Sequence, residues 1–167
     1  MTLLESVLQR WDEVLLWGGL AAVVMTTVLE GAQLLGFSRL SLPFLFGTFA
    51  TGNRRRAIVY GYVLYMIGAW LFAIIYALIL ESTGASWWIG LLVGLVHGIF
   101  LVAVVLPLMA EVHPRIATRY EGPSSRRRLE PPGPAGLNYG RATPVSTVLA
   151  QALYGLIFAA GYALGGP

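Results

Sequence analysis

Apolar and polar positions along this chain fall into four long apolar blocks separated by shorter polar ones. A helix crossing a membrane needs roughly 20 mostly apolar residues at about 1.5 Å rise each. Four segments meet that need: about 14–37, 57–80, 87–110 and 144–164. Ahead of the first, Leu4, Val7, Leu8 and Trp11 recur at helical spacing, with Glu5, Arg10 and Asp12 between them. That is the pattern of a short amphipathic helix lying in the membrane interface. The pattern predicts an all-α membrane protein: a four-helix transmembrane bundle with an N-terminal amphipathic interfacial helix, one integral membrane domain over residues 1–167. A cleaved signal peptide is not expected, because the apolar run starts late, contains Glu30 and lacks a small-residue cleavage site.

Composition sharpens this picture. The chain is 57% hydrophobic and 11% charged, whereas soluble domains carry about 25% charged residues. Cysteine is absent, which removes disulfides, thiolate metal sites, iron–sulfur ligation and cysteine nucleophiles from consideration. All eleven basic residues are arginine, and the net charge is only +3, so no nucleic-acid partner is expected. Arg39, Arg54, Arg55 and Arg56 lie between the first two spans; Arg115, Arg119, Arg126, Arg127, Arg128 and Arg141 lie between the last two. Loops rich in arginine stay in the cytoplasm, which puts both termini outside. Trp11, Trp17, Trp87 and Trp88 cluster at the outer interface that this topology defines.

The two arginine-bearing loops differ. Residues 38–56 include Leu42, Pro43, Phe44, Leu45, Phe46 and Phe49. They are too apolar for a solvated loop, and are read as a helix lying on the inner interface or as a re-entrant segment. Residues 111–142 form a Pro/Arg-rich cytoplasmic loop that resists regular structure. Thr143 followed by Pro144 is a good N-cap and first helical position for the last span. The arginine clusters 54–56 and 126–128, with Arg141, are candidate contacts for anionic lipid head groups or an acidic partner. Arg141 also stands among Leu137, Asn138 and Tyr139, in a run that reads equally as an ordered cap before the last span or as a solvated linker.

Small residues mark packing faces: Gly90, Gly94 and Gly98 on the third span, and Gly18, Ala22 and Thr26 on the first. They join helices of one chain or of two. Inside the membrane Glu30 stands out, on a face shared with Thr26, Thr27 and Gln33. Depth counts put Glu30 about 10 Å from the arginine end of its span, Tyr65 and Gln151 about 12 Å, Tyr154 about 16 Å and His97 about 19 Å. These five residues form a candidate intramembrane polar cluster. It serves either as a proton or ligand site or as interhelical hydrogen bonding that fixes register. Neither His spacing nor a Glu-x-x-His pattern supports haem or another metal, and no nucleophile with a paired base is visible. No cofactor and no enzyme activity are expected.

Several runs carry a family likeness: Gly94-Leu95-Val96-His97-Gly98, His113-Pro114-Arg115, Leu129-Glu130-Pro131-Pro132-Gly133, and Gly136-Leu137-Asn138-Tyr139-Gly140-Arg141-Ala142-Thr143-Pro144. Together they resemble an uncharacterised group of small bacterial integral membrane proteins with four spans. The resemblance implies that architecture and a bacterial inner-membrane location, and brings no activity with it. The functional expectation is a structural or accessory membrane subunit that packs in a larger complex or with itself. The alternative is a small oligomeric transporter or channel with a protonatable mid-membrane Glu/His site. The expected partners are the lipid bilayer, anionic lipids, and other membrane subunits or a second copy.

Overall fold

Apolar runs with no water to satisfy their main-chain groups fold as helices. The computed structural model describes residues 2–117 and 129–165 and is all-α, with four helices long and apolar enough to span a membrane among those residues. The short α1 (Leu3–Gln9) begins with a capping box: Thr2 Oγ1 accepts from the Glu5 amide at 3.2 Å, and Glu5 Oε2 accepts from the Thr2 amide at 2.8 Å. The long helices are α2 (Trp11–Leu34), α4 (Arg54–Thr83), α5 (Trp87–Val112) and α6 (Thr143–Leu164), and α3 (Leu42–Ala50) lies in the first arginine loop.

Helix ends differ from the sequence expectation where local chemistry intervenes. The first span ends at Leu34 rather than 37, because Gly36 turns to φ +75°. Its amide bonds the Gln33 carbonyl at 2.9 Å while the Phe37 amide reaches back to Ala32 at 2.8 Å, a Schellman termination. The second span starts at Arg54 rather than 57, capped by the Asn53 side chain, so Arg54, Arg55 and Arg56 form its first turn. Thr143 opens the last span, and its hydroxyl pairs with Ser38 at 2.8 Å. Within α5 a π turn covers Leu101–Val105. Pro107 follows it, lacks the amide that would bond Ala103, and has a ring that crowds that carbonyl.

The chain divides into two compact units, and the division falls inside each long helix. Unit 1 comprises residues 1–28, 66–98 and 148–167. Here the missing side chains of Gly90, Gly94 and Gly98 let α5 lie against Gly155 and Ala159, Gln151 and Ala152, and Val148 of α6. Gly18 sits against Trp70 and Ala73 of α4, and Ala22 is fully buried. Both small-residue faces therefore pack within one chain. Buried rings fill the remainder: Tyr76 stands edge-on to Tyr154 and Phe158, and Phe158 stacks on Tyr162. Arg10 ties the unit's polar edge together, bonding Glu13 at 2.7 Å and Glu81 at 3.1 Å and lying 3.7 Å over the Tyr162 ring. The hydrogen bonds to Glu13 raise the Arg10 pKa above its ordinary value.

Unit 2 comprises residues 29–65 and 99–147. Its own close approach is α3 on α4, where Gly47 meets the Ala57 carbonyl and Gly61 meets the Pro43 carbonyl. A Cβ at either glycine would strike main chain.

Glycine context sets the first prediction. Gly94→Leu should lower the thermal midpoint of the detergent-solubilised protein, at a cost of about 2 kcal/mol or more from overpacking. Gly68 has open space around its Cα, so Gly68→Ala should hold or raise the midpoint, by about 0.5–1 kcal/mol. Equal effects of the two substitutions would contradict the packing described.

Candidate functional site: a polar cleft in unit 2

In unit 2 the end of α2, the linker into α3 and the start of α4 enclose a cleft of about 550 Å³, lined by Glu30, Gln33, Arg39, Ser41, Phe44, Arg54, Ile58 and Tyr62. Glu30 and Gln33 are three residues apart, near the C-terminal end of α2. Arg54, Ile58 and Tyr62 repeat every four residues and so form a stripe on α4 that runs from basic through apolar to phenolic. Tyr62 donates to Glu30 Oε1 at 3.3 Å. Among the described residues the Gln33 Nε2 is buried without a hydrogen-bond partner.

The linker that joins α2 to α3 is held by its own main-chain chemistry. Ser38 is buried, and its hydroxyl accepts from the Leu40 amide at 3.1 Å while pairing with Thr143. The Arg39 amide donates to Tyr139 O at 2.6 Å. Its guanidinium pairs with Glu130 at 3.1 Å and bonds the Asn138 carbonyl. Tyr139 donates to Glu130 O at 2.7 Å, and burial, reinforced by Glu130, pushes its pKa up to about 12. The stretch Leu129–Gly140 of the Pro-rich loop is thus built against the linker. It encloses a second cavity of about 120 Å³ that shares Arg39, Ser41 and Phe44 with the first.

Two residues just past α5 hold the far end of α3. Arg115 Nη1 donates to Thr48 O at 2.5 Å and Phe49 O at 2.9 Å, a cation on the last carbonyls of a helix. His113 Nδ1 accepts the Arg115 amide at 3.1 Å, so the proton sits on Nε2, which faces Leu45 O at 3.1 Å and Thr48 Oγ1 at 3.2 Å. Burial is the main cause that lowers the His113 pKa.

Electrostatically the cleft is polarised. Among the described residues Arg54 makes no ion pair. It opens a helix whose first turn holds three arginines, a charge sign that the helix dipole disfavours. Glu30 lies toward the Tyr62 end of the stripe. Polar donors at one end, cations at the other and an apolar wall between them suit an amphiphilic or hydrogen-bonding ligand better than bond-making chemistry.

The five residues of the expected polar cluster divide between the units. Glu30 and Tyr65 belong to unit 2, and the buried Tyr65 ring lies 6.5 Å from Phe46. His97, Gln151 and Tyr154 belong to unit 1. His97 Nδ1 meets the Tyr76 hydroxyl at 3.2 Å, Tyr154 donates to Ala69 O at 2.6 Å, and Gln151 is buried where α6 meets Gly94 and Gly98. Glu30 and His97 therefore each have a tyrosine partner of their own. Among the described residues no three His, Asp or Glu side chains converge as metal ligands. Arg54 lines the cleft, Arg55 and Arg56 are exposed beside it, and Arg141 is exposed. Arg126, Arg127 and Arg128 lie outside the described residues. Tyr62, Arg39 and Ser41 are cleft residues that the depth count did not reach, although the four-residue spacing Arg54-Ile58-Tyr62 was a usable signal. Comparison with protein-family models, with curated proteins and with solved structures gives no match.

His113 yields a pH prediction. Its folded pKa lies below the ordinary value of about 6.5. Its contribution to holding α3 is therefore whole above about pH 6.5 and is lost as pH falls toward the folded pKa. Hydrogen-exchange protection of the α3 amides should drop between pH 7.5 and 5, and His113→Gln should flatten that dependence. Protection that is unchanged across the range in the parent chain would contradict the assigned role.

Proposed function

We propose that this chain is a non-enzymatic accessory protein of a bacterial inner membrane, whose working element is the polar cleft of unit 2. The observation that supports it is the pairing of Glu30 with Tyr62 inside a cleft large enough for a ligand, whose lining also includes Gln33. Ligand sites commonly measure about 300–1,000 Å³ and pair apolar walls with a few placed polar groups. Carboxylates within membrane spans mark binding or transport sites by default.

Unit 1 supplies the rigid part of this reading. Its carboxylates Glu13 and Glu81 are held by Arg10, and its small-residue faces are closed by its own helices. Such a module anchors; the cleft binds. In the topology that arginine asymmetry supports, the cleft's arginine end faces the cytoplasm and both ends of this chain lie on the other side. Packing in a larger complex or with a second copy fits the same reading.

A ligand that binds only the folded chain raises its stability by mass action, by about 2.7 kcal/mol at a hundred times its dissociation constant. Polar extract of bacterial membranes should therefore raise the thermal midpoint of the purified protein. Ile58→Trp, which fills the cleft from its apolar wall, should abolish that rise. A rise of equal size in the filled variant would sink the proposal.

A further inference from the structure

We infer that the cleft takes the phosphate-bearing head group of an anionic glycerophospholipid, phosphate toward Arg54 and Arg39, with its acyl chains leaving along the apolar wall. This rests on the cleft being a binding site, as proposed above. The ligand class follows from the order of the groups. Arg54, Ile58 and Tyr62 stand one turn apart on a single face, so cation, apolar surface and phenol are spaced over about 12 Å. A guanidinium matches phosphate oxygens bidentately, and Arg54 is exposed with no ion pair among the described residues. Arg39 adds a second cation, and its pairing with Glu130 leaves both side chains partly open to solvent.

Gln33 lines the same cleft, and an ester carbonyl next to the glycerol is the acceptor that its side-chain amide would take. Glu30, already bonded by Tyr62, excludes a second anion from that end and so fixes which way the ligand lies. Free phosphate would satisfy the arginines alone. It would leave Phe44 and Ile58 facing nothing apolar and Gln33 unmet.

Native mass spectrometry of the full chain in mild detergent tests this with three probes: phosphatidylglycerol, diacylglycerol of the same chains, and glycerol 3-phosphate. Phosphatidylglycerol should be retained about tenfold better than diacylglycerol, the scale of one lost charge-assisted hydrogen bond. Arg54→Gln and Gln33→Leu should each cut that retention several-fold at an unchanged thermal midpoint, and Arg141→Gln should not. The paired Arg39→Gln/Arg54→Gln variant should cut it further. Excess glycerol 3-phosphate should fail to displace the lipid. Equal retention of diacylglycerol, or displacement by glycerol 3-phosphate, would overturn the lipid assignment. A co-purifying species that is lost in Ile58→Trp but contains no phosphorus would overturn it while leaving the binding site in place. Retention of nothing in a cleft-dependent way would remove both.

Discussion

Main-chain amides and carbonyls surrounded by hydrocarbon must find partners within the protein, and each place where a helix of this chain stops is a local solution to that demand. Gly36 closes α2 by folding two amides back onto Gln33 and Ala32. Arg115 occupies the last carbonyls of α3, and His113 steadies the same turn. Ser38 and Thr143 share a buried hydroxyl pair where the linker passes the start of α6. These arrangements do more than end helices. They fix the Arg39–Ser41 linker, which lines the cleft with the end of α2, Phe44 of α3 and the start of α4.

The polar side chains of the two units are used differently. In unit 1 charge is neutralised locally: Arg10 serves two carboxylates and a tyrosine ring, and Trp70 donates to the Leu15 carbonyl at 3.1 Å. Such contacts fix register at modest gain, about 0.6 kcal/mol each on average in membrane proteins. In unit 2 Glu30 accepts a hydrogen bond of 3.3 Å from Tyr62, a tyrosine that is itself 39% exposed. A carboxylate held that loosely in a span is costly unless something else comes to it. That contrast, rather than the presence of Glu30 alone, makes the cleft the functional candidate.

Much of the fold was legible because bilayer thickness dictates the length of apolar runs. The four spans, the amphipathic start and the small-residue faces were all written in local pattern. Ala152, Gly155 and Ala159, the surface that receives the glycine face of α5, were visible in the sequence only as ordinary small residues of the last span. The candidate site was half legible. Counting residues gives depth along a helix but not rotation around it, so Glu30 was seen in a cluster of five residues by depth, while Tyr62, which donates to it, was not named. The docking of α3 depends on Gly47 and Gly61, which are distant in sequence and carry no pattern of their own. The order in Leu129–Gly140 comes with tertiary bonds such as the Arg39 amide to Tyr139 O at 2.6 Å, which composition could not disclose.

A polar cleft entering unit 2 beside α4 is the claim on which the rest stands, and the absence of cysteine makes it directly measurable. Single cysteines at Ile58, in the cleft wall, and at its neighbour Val59, 61% exposed but outside the cleft, would be treated with a charged, water-soluble thiol reagent after reconstitution into vesicles permeabilised to it. The account requires Ile58→Cys to react at least about tenfold faster than Val59→Cys, because a thiol in a water-filled cleft ionises and one facing lipid does not. Equal rates at the two positions would mean that no polar cleft reaches Ile58, and the account would be wrong.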